Sequence, residues 1–302
     1  MGNYFIHLKI FFGYLFAWRG YLFNLSFCGE GPNPWARLDS NIIKSISRSV
    51  VSLSSFKGDR RFFACTGLLI KCRVGRHYGS VVPSRTVILT SASLFRTHDA
   101  NTIDEKLRIE VFLPPNQRVS GALVAYDSCY NIAIVSVGYL RSICPEDILL
   151  ADTSQDQSRD RQLRKMFREE PEPKNVVAIG REPEEGLLCG SMGVVSGDPM
   201  TRGCKDLRLS TCEIKKAGIG GPLVNFADGS FVGMNFYDGR TARTPFLPRR
   251  YILKVLQKLE LPPSGSDRDQ GVQRLDSSDD GTNYDDRWHV PKARYVYFEV
   301  DM

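Results

Sequence analysis

The residues most able to do chemistry fall in or near one short stretch, KKAGIGGPLVNF, from Lys215 to Phe226. Gly218, Gly220, Gly221 and Pro222 make a tight corner ahead of an apolar strand. Glycines this dense let a chain turn so that one side chain and nearby N–H groups are held in an unusual place. The side chain at the centre of this corner is Ile219, which has no nucleophilic atom. A general base must come from elsewhere, and the chain has only four histidines: His7, His77, His98 and His289. His77 and His98 read as surface residues, while His7 and His289 lie in the terminal segments. Ser210 and Cys212 sit on the strand leading into the corner and read as core. Lys215 and Lys216 flank the corner, and Ser91 and Ser93 end an apolar strand as ordinary polar residues.

The elements that must position these residues read as β-structure. SVVSLSSF, RFFACTGLLIKC, TVILTS, LRIEVFL, SGALVAY and NIAIVSV are short runs rich in β-branched and aromatic residues, separated by turn formers. Six such runs predict a small closed antiparallel barrel over residues 41–151. A polar, charged linker loop follows at 152–174, and the β pattern then resumes with NVVAIG, SMGVVSG, LRLSTCEI, PLVNF and SFVGMNFY. Asp228-Gly229 marks a hairpin turn within this second unit. In PRRYILKVLQKLE, Ile252, Val255, Leu256 and Leu259 form one helical stripe, which Pro262 and Pro263 end. The second barrel and its closing helix therefore span 175–262. The remainder, 263–302, reads as an acidic and largely disordered tail. The fold class is all-β: two six-stranded antiparallel barrels, a C-terminal helix and a tail.

The net charge of +6 is uneven, because residues 264–302 carry nine acidic and five basic residues and leave about +10 on the rest. No basic run is interleaved with stacking aromatics, so nucleic acid is not an expected partner. The eight cysteines form no C-x-x-C pair and no disulfide framework, which argues against zinc or any other metal and favours a reducing, intracellular compartment. No cofactor is implied. Residues 1–40 form an apolar leader. Within it, residues 4–27 are strongly apolar and aromatic, interrupted by Lys9 and Arg19. The run Ile10–Trp18 has the length of a signal-peptide core and is too short to span a bilayer. A secretory signal or anchor, an organelle address and a leader with no targeting role all stay open, and membrane association with them.

Several strings, in order, resemble the trypsin-like serine proteases, with the Do-like (HtrA-type) peptidases as the nearest likeness and this chain as a degenerate, plant-type member. ACTGLLI resembles the strand before the catalytic histidine segment, and VILTSASLF the segment that ends in Ala-His. VAYDSCYNIAIVSV resembles the segment carrying the catalytic aspartate. VVAIG and GSMGVVSG resemble the strands that open the second barrel. AGIGGPLVNFADGSFVGMNF resembles the G-[ND]-S-G-G-P-L segment and its following hairpin.

The resemblance implies a general base at Ser93, an orienting carboxylate at Asn131 and a nucleophile at Ile219, and all three are replaced. It also implies an oxyanion pocket from the N–H groups of Ala217 and Ile219, with Ala217 where the family has glycine. Cys65 matches a position that is disulfide-bonded in digestive members, but Leu94 stands where the partner would be. The expectation is a pseudoprotease that binds an extended peptide or protein and assembles with itself or with related Do-like chains. An active endopeptidase with a non-standard catalytic set is the alternative. The remaining reading is a binder that uses the basic core on nucleic acid or a membrane surface. The residues after the helix are too few for a PDZ-like domain.

Overall fold

The structure, a computed structural model, describes residues 33–73, 84–96, 103–114, 117–138, 173–196, 206–237, 243–259 and 271–275. The expectations for His7, His77, His98 and His289 lie outside these residues. So do the apolar leader up to residue 32, all but the end of the 152–174 linker, and most of the tail.

The first barrel is built from β1 (Val50–Lys57), β2 (Arg60–Arg73), β3 (Ser84–Ser91), β4 (Arg108–Leu113), β5 (Gln117–Asp127) and β6 (Ile132–Val137). Hydrogen bonding runs in the order β5-β4-β1-β2-β3-β6, and β5 pairs back onto β6 to close the ring. β6 is buried along its whole length, and Val135 and Val137 face Leu123 and Gly121 across the closing seam. β6 and most of β1 are buried on both faces, and β6 reads as a nearly continuous hydrophobic stretch, whereas β5 alternates between half-buried and exposed residues over 117–122.

The second barrel comprises β7 (Asn175–Arg181), β8 (Leu188–Ser196), β9 (Arg208–Ser210), β10 (Pro222–Asn225), β11 (Phe231–Asn235) and β12 (Thr244–Pro248), closed in the order β10-β11-β12-β9-β8-β7. The expected hairpin turn is present between β10 and β11. Gly229 has φ +73°, and the Asp228 carboxylate accepts from the Ser230 N–H (2.9 Å) and hydroxyl (2.7 Å).

Two elements were not expected. α1 (Ser40–Ser49) precedes β1, capped by the Asp39 carboxylate accepting from the Asn41 N–H at 2.8 Å. β12 carries Pro245 and Pro248, residues that argue against a strand. It pairs nonetheless, because Pro245 contributes its carbonyl, which accepts from the Phe236 N–H at 2.8 Å.

α2 (Arg249–Lys258) buries Ile252, Val255 and Leu256 of the expected stripe and exposes Lys254 and Gln257; Leu253 is buried in addition, and Leu259 caps the helix half-buried. Within the tail, residues 271–275 are described. There β13 (Gln273–Arg274) lies parallel to β5 at Ala125–Tyr126, and Leu275 is buried. A backbone ladder and one aliphatic anchor hold this piece of a polar segment in place.

Arg181, at the end of β7, joins the two barrels. Its Nε donates to Val50 O (2.8 Å), Nη2 to Ser47 O (2.8 Å) and Nη1 to Gly186 O (2.6 Å). Burial pulls this guanidinium down to about 10, opposed by the nearby Cys189 sulfur, so it stays charged at neutral pH. Three carbonyl dipoles replace its hydration. At the rim, Arg118 bonds Glu110 (2.5 Å) and the carbonyl of Glu184 (2.9 Å), and Arg61 pairs with the Glu184 carboxylate.

Candidate functional site

Ser93 and Asn131 belong to the first barrel, and Ile219 to a corner of the second that bonds β2 of the first. Ser93 falls in a short 3₁₀ turn, Ala92–Phe95, directly after β3, and its N–H donates to the Ser91 hydroxyl at 3.2 Å. Asn131 ends the turn between β5 and β6. The Asp127 carboxylate shapes this turn by accepting from the Tyr130 N–H at 2.8 Å. Asn131 has φ +53°, a left-handed conformation that asparagine tolerates better than most residues. Its carbonyl accepts from the Ala92 N–H at 3.0 Å, and its Nδ2 donates to the Ser93 Oγ at 2.8 Å. The structure thus brings Ser93 and Asn131 into direct contact, both almost fully buried. The Asn131 Oδ1 is buried with no donor among the described residues.

Ile219 stands at the end of a second 3₁₀ turn, Lys216–Gly218. Its carbonyl accepts from the Thr66 N–H of β2 at 2.8 Å. The next residue, Gly220, has φ +76°, and a Cβ there would lie 2.5 Å from Thr66 O and 2.9 Å from the Ser91 N. A Cβ on Gly221 would fall 2.1 Å from Ile179 O. The glycine pair is therefore needed for the corner to press against β2, β3 and β7, whatever side chain precedes it. Ile219 itself is only 4% exposed and joins the main hydrophobic core.

The two N–H groups expected to form an oxyanion pocket belong to Ala217 and Ile219. The Ile219 N–H donates to Lys216 O at 3.1 Å, closing the 3₁₀ turn on itself. The Ala217 carbonyl accepts from the Thr66 hydroxyl at 2.5 Å. Thr66 also accepts from the Arg181 N–H at 2.9 Å, and its own carbonyl accepts from Thr90 Oγ1 at 2.7 Å. Thr66 and Arg181 thus hold the corner against both barrels. Sequence reasoning passed over both. The signals were a threonine inside an apolar strand and a lone arginine ending VVAIG.

Three of the buried cysteines have thiols raised by burial, and none of these is primed to react. Cys65 is a free thiol, 3.3 Å from Thr90 Oγ1, and burial pushes it up to about 12. Burial likewise raises Cys189 and Cys212 to about 11. Cys212 is fully buried and Ser210 faces Thr244 across the β9–β12 pair, so both are core residues, as expected. Lys215 lies close enough to Glu182 and Cys189 to lower both, against the stronger upward push of burial. Among the described residues, no group of three or more His, Cys, Asp or Glu side chains could hold a metal ion, and no helix is long and apolar enough to cross a membrane.

The side chains at 93, 131 and 219 supply a hydroxyl, a carboxamide and an aliphatic group. Such a set can share hydrogen bonds and fill space, but it holds no group that titrates near neutral pH. Among curated proteins none matches the chain. Residues 78–234, just over half of the chain, match the trypsin-like peptidase domain family. With its two closed six-stranded barrels, the chain belongs to the trypsin-like peptidase family.

Proposed function

We propose that this chain is a catalytically inactive trypsin-like protein of the Do-like (HtrA) type, which acts by binding an extended peptide or a protein. The observation that carries the reading is the state of the Lys216–Ile219 turn. Its last residue is the buried Ile219, whose N–H is committed to Lys216 O. Acyl transfer needs a nucleophile, a base and free donors aimed at the oxyanion. Position 219 offers neither a nucleophile nor a free donor.

Ser93 and Asn131, at the positions the resemblance assigns to the base and its orienter, bond each other instead. Neither accepts a proton near neutral pH. Removal of the whole catalytic unit costs about 10⁶-fold in turnover in a serine protease. The order of the matching strings supports the Do-like assignment. Peptide binding draws its support from the β framework, since strand addition uses main-chain groups and not a triad.

The test is a fluorophosphonate probe and an unfolded casein substrate, each applied to the purified chain. No serine should be labelled and no bond cut, while peptide arrays should yield saturable binders. A labelled serine, with cleavage abolished when one polar side chain is changed, would overturn the proposal.

A further inference from the structure

In a closed barrel every strand has two neighbours, but β5 outruns one of its own. β4 pairs with β5 only over Gln117–Gly121, while β6 continues to Asp127 across an irregularity between Leu123 and Ala125. Past Leu123 the β4-facing side of β5 therefore presents main-chain groups that β4 does not reach. The chain's own tail takes them. Gln273 and Arg274 pair in parallel with Ala125 and Tyr126, and the Leu275 N–H donates to Tyr126 O at 2.7 Å. Leu275 is 2% exposed and belongs to the same core as Ala125, Val255 and Leu256. The Gln273 amide adds a bond to Lys258 O at 3.3 Å, at the end of α2.

We propose that this edge of β5 is a peptide-acceptor site, filled in the resting chain by Gln273–Leu275. It takes an extended segment laid parallel to β5, with an aliphatic residue directly after the two ladder residues. Ladder bonds read no side chain, so the selective element is the position that buries Leu275. Residues 260–270 tether the segment to α2, and a tether of that length holds it near the site at an effective concentration on the order of 1 mM. A free peptide therefore competes only once the tail has been released or cut. The site uses main-chain groups of β5 and none of the residues 93, 131 and 219, so it stands whether or not the chain is catalytically silent.

The test uses a fluorescent peptide of the sequence Gly271–Ser277 and the full chain carrying Leu275→Asp, which expels the tail. The variant should bind the peptide saturably and shift the Ala125 and Tyr126 amide resonances. The wild-type chain should bind it at least roughly tenfold more weakly. A peptide carrying the same Leu275→Asp change should not bind. A folded variant that binds no peptide, or wild-type and variant chains that bind alike, would sink the proposal. Should the variant fail to fold, a second full-length form with a specific protease site within 264–269 decides the matter. After cutting, labelled peptide in excess must replace the tail segment, and failure to exchange counts against the site.

Discussion

The Asn131 side-chain amide donates to the Ser93 hydroxyl at 2.8 Å, joining the β5–β6 turn to the 3₁₀ turn that follows β3. Two neutral side chains thus keep the contact that the resemblance assigns to an imidazole and a carboxylate, and they keep it buried. Asn131 meets this contact from a left-handed backbone. Asn131→Ala loses the bond and also forces a Cβ residue with no local compensation into φ +53°, a cost of about 2 kcal/mol. Asn131→Gly loses only the bond, about 1 kcal/mol. Thermal and urea unfolding should rank wild type above glycine and glycine above alanine. Equal losses would mean that the backbone conformation carries no strain.

Restoring the missing groups should not restore hydrolysis. In a Ser93→His, Asn131→Asp, Ile219→Ser chain, the 219 N–H still has Lys216 O as its partner. Expected activity on casein and fluorophosphonate labelling both stay at background. Ile219→Ser alone should cost about 2–4 kcal/mol, because it replaces core aliphatic volume with a hydroxyl. Measurable turnover by the triple variant would show that the turn reopens without further change.

The inter-barrel struts can be ranked by the groups each leaves stranded. Thr66→Val removes the hydroxyl shared by Ala217 O and the Arg181 N–H, for a loss of about 2–3 kcal/mol, whereas Thr66→Ser keeps it and should cost under about 1 kcal/mol. Arg181→Met strands the carbonyls of Ser47, Val50 and Gly186 and should cost about 3–5 kcal/mol. Denaturant midpoints measured at constant slope check this order.

Glu182 gives a pH dependence with a definite sign. Burial raises its carboxyl above the ordinary 4.5, Glu184 and Glu185 add to the rise, and Lys215 opposes it. The folded chain therefore holds this proton more tightly than the unfolded chain does. Its contribution favours folding below the ordinary carboxylate range and is lost as pH rises through the folded value. Glu182→Gln should leave the melting temperature nearly unchanged at acid pH and raise it at pH 7. A difference independent of pH would remove Glu182 as the cause.

Cys65, Cys189 and Cys212 should resist alkylation at pH 8 in the folded chain, since each is buried with its thiol raised to about 11 or 12. Mass-spectrometric mapping along a urea series should show the three labelled together at the global transition. Early labelling of Cys189 alone would point to local opening of the second barrel.

The amino-acid sequence by itself determined what depends on short-range pattern. Eleven of the twelve barrel strands stand out as β-branched and aromatic runs between turn formers. The α2 stripe, the Asp228-Gly229 turn and the glycine corner are equally plain, because each follows from local periodicity or from a φ that few residues adopt. The loss of reactive groups at 93, 131 and 219 is also written in residue types alone. Tertiary structure decided the rest. β12 forms despite its prolines because its neighbours use its carbonyls, and α1 forms from a serine-rich segment whose only aliphatics are Ile42, Ile43 and Ile46. Gln273–Leu275 is ordered because β4 stops short and leaves part of β5 to be paired. The Ser93–Asn131 bond and the seating of Arg181 on the carbonyls of Ser47 and Val50 join groups far apart in the chain. The first is set by how β3 pairs with β6 and the second by how the two barrels pack together, and no local window of sequence contains that information.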